Sequence, residues 1–471
     1  MNPDVQAARA GVQERPHDPA AHYALAQAQD RAGDIAGAVG TLRAALLLAP
    51  DFAQAHNLLG LLLAVSGDIA AAIASFQQAV RLQPTYARAC NNLGSSLRTV
   101  GRIAEAETAF AQAVRLQPDY QLAQHNLGAV RQELGRIEEA VAAFTVSVQL
   151  APRFRPSWSA LATAHRERGR LDDAVGAGRQ AIALDPAASG PERLLLGELL
   201  TECGLQPDAR QAYAEALAAQ PDALPAALGL HLALPPIHAD AGALEAARAQ
   251  YAAGLLALER DFDRYHAHLN ADATLEAWRW SNFFLAYQGR DDRPLQEQYA
   301  RLLRRAIDLK APAWRVPPPT RARPHGRIRV GFASAFFNDG TVGQYFGRWI
   351  SELDPDVFDV FVYQIGGRQD AVSAEVARRA DRFRHATGPA TTVARLAASI
   401  RGDAPEILIY PEVGMDSRCM VLAALRLAPV QCAAWGHPVT TGQDTIDYFF
   451  TAGGMEPANA DAHYTERLVR L

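Results

Sequence analysis

The chain has 471 residues, 49% of them hydrophobic and 21% charged, with a formal net charge of −5. That length exceeds what one hydrophobic core organises and implies two or three domains. The acidic balance argues against a nucleic-acid partner, which would call for a concentrated basic face, and no run of 18 or more apolar residues is present to span a membrane.

The N-terminal stretch MNPDVQAARAGVQERP has acids and no apolar centre, so it does not read as a signal peptide. Residues 2–15 are predicted to form one short helix. From His17 the sequence repeats itself. Gly33, Gly67, Gly101, Gly135 and Gly169 stand 34 residues apart, and Pro50, Pro84, Pro118, Pro152 and Pro186 keep the same step. Five units follow from this (17–50, 51–84, 85–118, 119–152, 153–186), with a looser sixth over 187–221. Each regular unit carries Leu-Gly or Leu-Ala in its first half (Leu59-Gly60, Leu93-Gly94, Leu127-Gly128, Leu25-Ala26, Leu161-Ala162). In its second half each carries an alanine in register: Ala38, Ala72, Ala106, Ala140 and Ala174. Apolar residues fall at helical spacing on one face. The mid-unit glycine ends the first helix in a left-handed turn, and the proline stops the second. A 34-residue period with two helical halves is a solenoid unit.

Over residues 17–221 this pattern resembles the tetratricopeptide repeat family. The resemblance implies a concave groove suited to extended peptides, and stacked repeats also offer a face for a homo-oligomer. The position before the Leu-Gly pair, which points into the groove in such repeats, is Asn92 in one unit and Asn126 in the next. An amide there offers a peptide backbone both a donor and an acceptor. Leu58 and Ala160 occupy the position in the flanking units, so the expected ladder is two rungs long.

Over 222–320 the repeat dissolves. Helices are predicted for 243–258 and 295–309. The aromatic cluster Trp278, Trp280, Phe283, Phe284 and Tyr287 reads as a packing plug between domains rather than a ligand site. APAWRVPPPTRARPHGR, with Pro312, Pro317, Pro318, Pro319 and Pro324, reads as a stiff linker. Past Arg327 the pattern becomes α/β. Strands are predicted over 328–334, 358–365, 406–412, 430–436 and 447–453, with helices over 372–383 and 392–400. Short apolar strands separated by helices signal a parallel sheet, whose ligands sit at the carboxyl ends of the strands. That rule selects the segments 334–343, 411–415 and 436–442. In WGHPVTTG, the glycines Gly436 and Gly442 permit close backbone approach, and the adjacent Thr440 and Thr441 offer hydroxyls and amides to phosphate or sugar oxygens, with His437 and Pro438 in the same short connection; an ordinary tight turn with a core histidine is the alternative. Asp447 and Tyr448 open a strand and read as structural. Cys90, Cys203, Cys419 and Cys432 lack metal or redox spacing; they read as small buried hydrophobes of a reducing, cytoplasmic compartment.

Taken together, tetratricopeptide repeats, a linker, HGRIRVGFAS and LRLAPVQCAAWGHPVTTGQDTIDYFF resemble the O-linked N-acetylglucosamine transferases of glycosyltransferase family 41. The resemblance implies a GT-B enzyme. Its repeats present Ser or Thr hydroxyls of a protein acceptor, and a UDP-sugar, N-acetylglucosamine in this family, is the donor in an inverting transfer. No metal and no other cofactor is expected. The expected architecture is an α-superhelical repeat solenoid (1–221), a helical transition and Pro/Arg-rich linker (222–320), and a Rossmann-like lobe (321–471) equal to the first half of a GT-B fold. The resemblance places Gly340 where the family carries a histidine, leaving the adjacent Asp339 as the candidate base. Gly340, Thr341, His437, Pro438, Thr440, Thr441 and Gly442 are the expected substrate contacts, and Asn92 and Asn126 the expected acceptor contacts. The 144 residues after Arg327 suffice for one lobe. The sequence as it stands is therefore expected to lack measurable transfer and to bind the donor weakly. The alternative expectation is a peptide-binding scaffold with a vestigial lobe. A transferase for small molecules or lipid-linked sugars is disfavoured by the long solenoid.

Overall fold

The computed structural model describes residues 2–187, 190–319, 326–367, 369–386 and 391–471. By internal compactness the chain divides into Met1–Leu184 and Asp185–Leu471.

In the first unit a helix over Pro3–Glu14 precedes five antiparallel helix pairs. Each pair is hinged at the repeat glycine, whose φ lies between 72° and 87° at all five positions, where a side chain would strain the backbone. The pairs are Pro19–Arg31 with Ile35–Leu48, Ala53–Val65 with Ile69–Leu82, Ala87–Thr99 with Ile103–Leu116, Gln121–Glu133 with Ile137–Leu150, and Arg155–Glu167 with Leu171–Leu184. The register alanines Ala38, Ala72, Ala106, Ala140 and Ala174 are fully buried. The Leu-Gly pair has a steric cause. A Cβ on Gly94 would lie 2.8 Å from the Phe110 ring, and Gly60 and Gly128 stand in the same relation to Phe76 and Phe144. These three phenylalanines are at most 1% exposed, so the glycine makes room for the largest side chain in each pair.

The second unit opens with one more helix pair, Gly190–Glu202 and Gln206–Ala219, followed by helices over Leu224–Leu232, Ala241–Arg260, Phe262–His266, Ala271–Ala277 and Arg293–Lys310. A seven-stranded sheet follows: β1 (Ile328–Ser334), β2 (Phe358–Ile365), β3 (Arg382–Ala386), β4 (Ile407–Tyr410), β5 (Val430–Ala434), β6 (Tyr448–Thr451) and β7 (Arg467–Arg470). Its order is β3-β2-β1-β4-β5-β6-β7, with every pairing parallel and Val330 opposite both Val360 and Ile407. The chain order reverses between β1 and β4, where a doubly wound sheet opens its ligand crevice.

Two strands depart from expectation. The helix predicted to run to Phe383 ends at Arg379 and gives way to β3, and β7 lies in RLVR. Both are edge strands, β3 with arginines at alternate positions and β7 with an arginine at each end, and only the central strands of a parallel sheet require unbroken apolar runs.

One face of the sheet packs Val330, Phe332, Val360, Val362 and Ile409 against Phe346 and Ile350 of the helix Thr341–Glu352. The other face packs Ala333, Ile365, Leu408 and Tyr410 in one cluster with Tyr251, Trp278, Tyr299 and Leu303 of the preceding helices. The transition segment is thus part of the sheet's own core. Trp278 is 1% exposed, and its Nε1 donates to His266 Nε2 at 2.8 Å. The start of the linker also packs on this unit: Arg315 pairs with Asp444 at 2.6 Å, and Arg401 lies 4.7 Å over the Trp314 ring. The remainder, 320–325 with Pro324, lies outside the described residues. All four cysteines are free thiols, three of them buried. Among the described residues no helix is long and apolar enough to cross a membrane.

Candidate functional site

The residues expected to meet substrate fall into two clusters at the carboxyl ends of the strands, with a third group on the repeats. The first cluster follows β1. Ser334 is buried, accepts the Phe336 amide at 2.9 Å and donates to Glu412 Oε2 at 2.8 Å; the Ala335 amide donates to Glu412 Oε1 at 3.2 Å. Beyond this anchor Asp339 is exposed. Its amide donates to Asp370 Oδ2 at 2.7 Å, and its carboxylate accepts from Gln344 Nε2 at 2.9 Å. Asp370 also caps the next helix, and these amide bonds, the Asp339 one foremost, hold its carboxyl below the usual range. Gly340 occupies the N-cap of Thr341–Glu352 and supplies no side-chain cap, and Thr341 is exposed at the first helical position. The first-turn amides therefore remain available to an anion at the positive end of a helix dipole.

Glu412, at the end of β4, is fully buried, and burial pushes its carboxyl up to about 8. Cys419 Sγ stands 3.8 Å from Glu412 Oε1, and burial drives that thiol well above its ordinary range. Asp416 caps Ser417–Ala423 and pairs with Arg418, which also donates to the Ile365 carbonyl at the end of β2 at 3.0 Å.

The second cluster follows β5. His437 is 1% exposed; its Nε2 reaches the Phe283 carbonyl at 3.4 Å and its ring stacks on Phe283, so burial holds the imidazole below its ordinary 6.5. Ser281 Oγ donates to the Gly414 carbonyl at 2.5 Å, tying the same helical segment to the loop after β4. Pro438 is exposed. Thr440 and Thr441, each 2% exposed, close on Glu466. Thr440 Oγ1 donates to Glu466 Oε2 at 2.7 Å, the Thr441 amide donates to Oε1 at 2.8 Å, and the Thr441 hydroxyl donates to the same oxygen. Gly442 has φ +70° and stands where a Cβ would lie 2.5 Å from the Gln296 backbone. Pro438 and Thr440 face a cleft of about 450 Å³ that Arg290, Asp292, Arg293 and His463 also line.

On the repeats, Asn92 Nδ2 donates to Asn57 Oδ1 at 3.0 Å and Asn126 Nδ2 to Asn91 Oδ1 at 2.8 Å. The ladder therefore has partners that periodicity did not single out. Asn57 and Asn91 sit one place earlier in their units, and both are buried. Sequence reasoning included Ser334 and Glu412 in its selected segments without giving Glu412 a role of its own, and it passed over Glu466. Glu412 had a signal, an acid closing the apolar run EILIYPE; Glu466 had none, lying 26 and 25 residues beyond Thr440 and Thr441.

This fold defines a class: a helical-repeat protein carrying a Rossmann-like lobe with its strand order reversing between β1 and β4. Comparison with known proteins sharpens it. Tetratricopeptide repeat models match residues 23–87, 91–153 and 132–189, and the model of glycosyl transferase family 41 matches residues 295–471. The helix pairs within residues 23–189 are thus tetratricopeptide repeats, and the sheet with the helix before it carries the match to glycosyl transferase family 41. The chain is similar to the probable UDP-N-acetylglucosamine–peptide N-acetylglucosaminyltransferase SPINDLY of Solanum lycopersicum, at 27% identity over 152 residues, 31% of this chain and 16% of that protein. It is also similar to the UDP-glucose:protein N-beta-glucosyltransferase of Actinobacillus pleuropneumoniae, at 37% identity over 65 residues, 14% of this chain and 10% of that protein. A mutant O-GlcNAc transferase of Thermobaculum terrenum superposes with a TM-score of 0.51 at 23% identity, covering 74% of this chain and 57% of its own, and so shares the fold. The chain thus spans 16% or less of the length of these curated relatives and 57% of that solved chain.

Proposed function

We propose that the chain serves nucleotide-sugar-dependent glycosyl transfer to protein, the repeats presenting the acceptor and the parallel-sheet lobe contributing to the reaction centre. One observation carries this reading: the family 41 match spans the sheet together with the helix 293–310 packed on it, behind a solenoid of peptide-binding type. In the reading, an acceptor oxygen attacks C1 of the sugar, its proton passes to a base, and the nucleoside diphosphate leaves. Asp339, exposed beside the first turn of Thr341–Glu352, is the base available on this chain. The first-turn amides that begin at Thr341 stabilise developing negative charge. Pro438 and the cleft beside it face substrate, while Thr440, Thr441 and Gly442 shape the loop that carries them. Asn92 and Asn126 hold the acceptor backbone, and the site works in the cytoplasm.

The finer assignment is transfer of N-acetylglucosamine from its UDP derivative to Ser or Thr. A second reading, transfer of glucose, has its own support in the 37% identity to a UDP-glucose-dependent protein glucosyltransferase. Calorimetry of the full chain with UDP-N-acetylglucosamine and with UDP-glucose, followed by mass spectrometry of a Ser/Thr- and Asn-containing peptide pool, separates them. A mass gain of one N-acetylhexosamine on Ser or Thr supports the first, and a hexose gain the second. Peptide binding without donor binding or mass gain would replace both with the scaffold.

A further inference from the structure

Glu412 is unexplained by the roles above. It sits at the crossover of β1 and β4, is fully buried, and joins segments 78 residues apart. A buried carboxyl is a costly way to fill a core, and a hydrophobic residue would spare that cost. Its two oxygens are spent on the segment where β1 turns into the 335–340 loop: Oε2 on the Ser334 hydroxyl and Oε1 on the Ala335 amide. Four residues beyond Ala335 stands Asp339, and the uncapped helix follows. The loop's far end is held separately, by Asp370 on the Asp339 amide. Glu412 is therefore the anchor of the loop's near end.

We propose that Glu412 is a positioning residue: by gripping Ser334 and Ala335 it sets the loop that carries Asp339 and the first turn of Thr341–Glu352 against the ligand. This rests on the reading of that loop as substrate-facing. The groups that surround Glu412 are few. Ser334 and Ala335 come from β1. The Cys419 thiol and the Asp416 carboxylate, the latter paired with Arg418, come from the segment after β4, and Asp416 adds to the rise in the Glu412 carboxyl. From β5 comes Gly436, where a Cβ would lie 3.2 Å from Glu412 Cβ, with His437 beyond it held neutral by burial. No cation in this set bonds the carboxyl. Burial favours the neutral carboxyl, whereas the bonds donated by Ser334 and Ala335 favour the ionised one, and burial is the larger of the two.

The test uses the full chain at pH 7, with hydrogen exchange of the 334–340 segment, corrected for intrinsic rates, and the Kd for UDP-N-acetylglucosamine and UDP-glucose. Glu412→Ala should speed exchange in 334–340 at least tenfold and weaken nucleotide-sugar binding at least tenfold. Glu412→Gln, which keeps the shape and one acceptor oxygen, should restore most of the affinity. Unchanged exchange in Glu412→Ala overturns the proposal, as does faster exchange with unchanged Kd. If Glu412→Ala does not fold, Ser334→Ala, which removes one of the two bonds, takes its place, and unchanged exchange in 334–340 overturns the proposal equally. Should wild type bind neither nucleotide sugar, the functional reading fails, and the exchange result alone decides whether Glu412 anchors the loop.

Discussion

Replacing Thr441 by valine removes one hydroxyl and keeps the side chain's shape. That hydroxyl donates to Glu466 Oε1 and accepts the Gln443 amide at 3.1 Å, inside a cluster where Thr441 is 2% and Glu466 6% exposed. Glu466 would keep Thr440 Oγ1 at 2.7 Å and the amides of Thr441 and Thr465 at 2.8 and 3.2 Å. The loss is therefore one charge-assisted bond, about 1.5–3 kcal/mol, plus a buried Gln443 amide left without an acceptor, about 1 kcal/mol or more. We expect Thr441→Val to destabilise the second unit by roughly 2–4 kcal/mol. Five of the six tryptophans (Trp278, Trp280, Trp314, Trp349, Trp435) lie in that unit, so intrinsic fluorescence in a urea titration reports its unfolding. The shift in midpoint multiplied by the slope gives the change. Nucleotide-sugar affinity of the folded variant should stay within about twofold, since the hydroxyl points at Glu466; 0.4 kcal/mol is the corresponding free energy. A midpoint unmoved within about 0.5 kcal/mol, together with a large loss of affinity, would show that the hydroxyl serves the ligand and would refute the reasoning.

Gly94→Ala should cost the solenoid about 1–3 kcal/mol, because its Cβ would meet the Phe110 ring at 2.8 Å; circular dichroism of the thermal transition checks this. Asn126→Ala strips the buried Asn91 Oδ1 of its 2.8 Å donor; about 1–2 kcal/mol of repeat stability should go, together with affinity for an acceptor peptide measured by fluorescence anisotropy. His437 is neutral in the fold with its proton affinity depressed by burial. Its contribution is complete above the unfolded value of 6.5 and is lost as pH falls through the lower folded value. His437→Gln should flatten the fall in stability of the second unit below pH 6.5, read by the same fluorescence titration; an unchanged slope would place the acid sensitivity elsewhere.

The strand ends illustrate how far the sequence reached. The rule that parallel sheets bind at their carboxyl ends selects 334–343, 411–415 and 436–442 from the sequence, because apolar runs for β1, β4 and β5 are locally visible. Within those segments it selected residues by chemical type, and type does not reveal direction. Thr440 and Thr441 carry hydroxyls suited to a sugar, yet both turn to Glu466. Asp339 stays exposed beside the helix start, where its type suggested. Glu412 closes an apolar run and yet holds the loop on which Asp339 stands.

The sequence by itself determined what repeats or alternates. Glycine and proline every 34 residues, with Leu-Gly and alanine in register, dictate helix pairs because each requirement is met within one unit and by its neighbour. Unbroken apolar runs dictate buried central strands for the same reason. Tertiary structure alone decided the pairings between distant segments. It chose the edge strands β3 and β7, whose partners supply the order their own residues lack. It also brought the transition helices onto the sheet as core, set the asparagine ladder 35 rather than 34 residues apart, and joined Ser334 to Glu412 and Thr441 to Glu466. Local pattern is written in neighbouring residues, whereas these contacts exist only once the backbone has brought separated groups within hydrogen-bond reach.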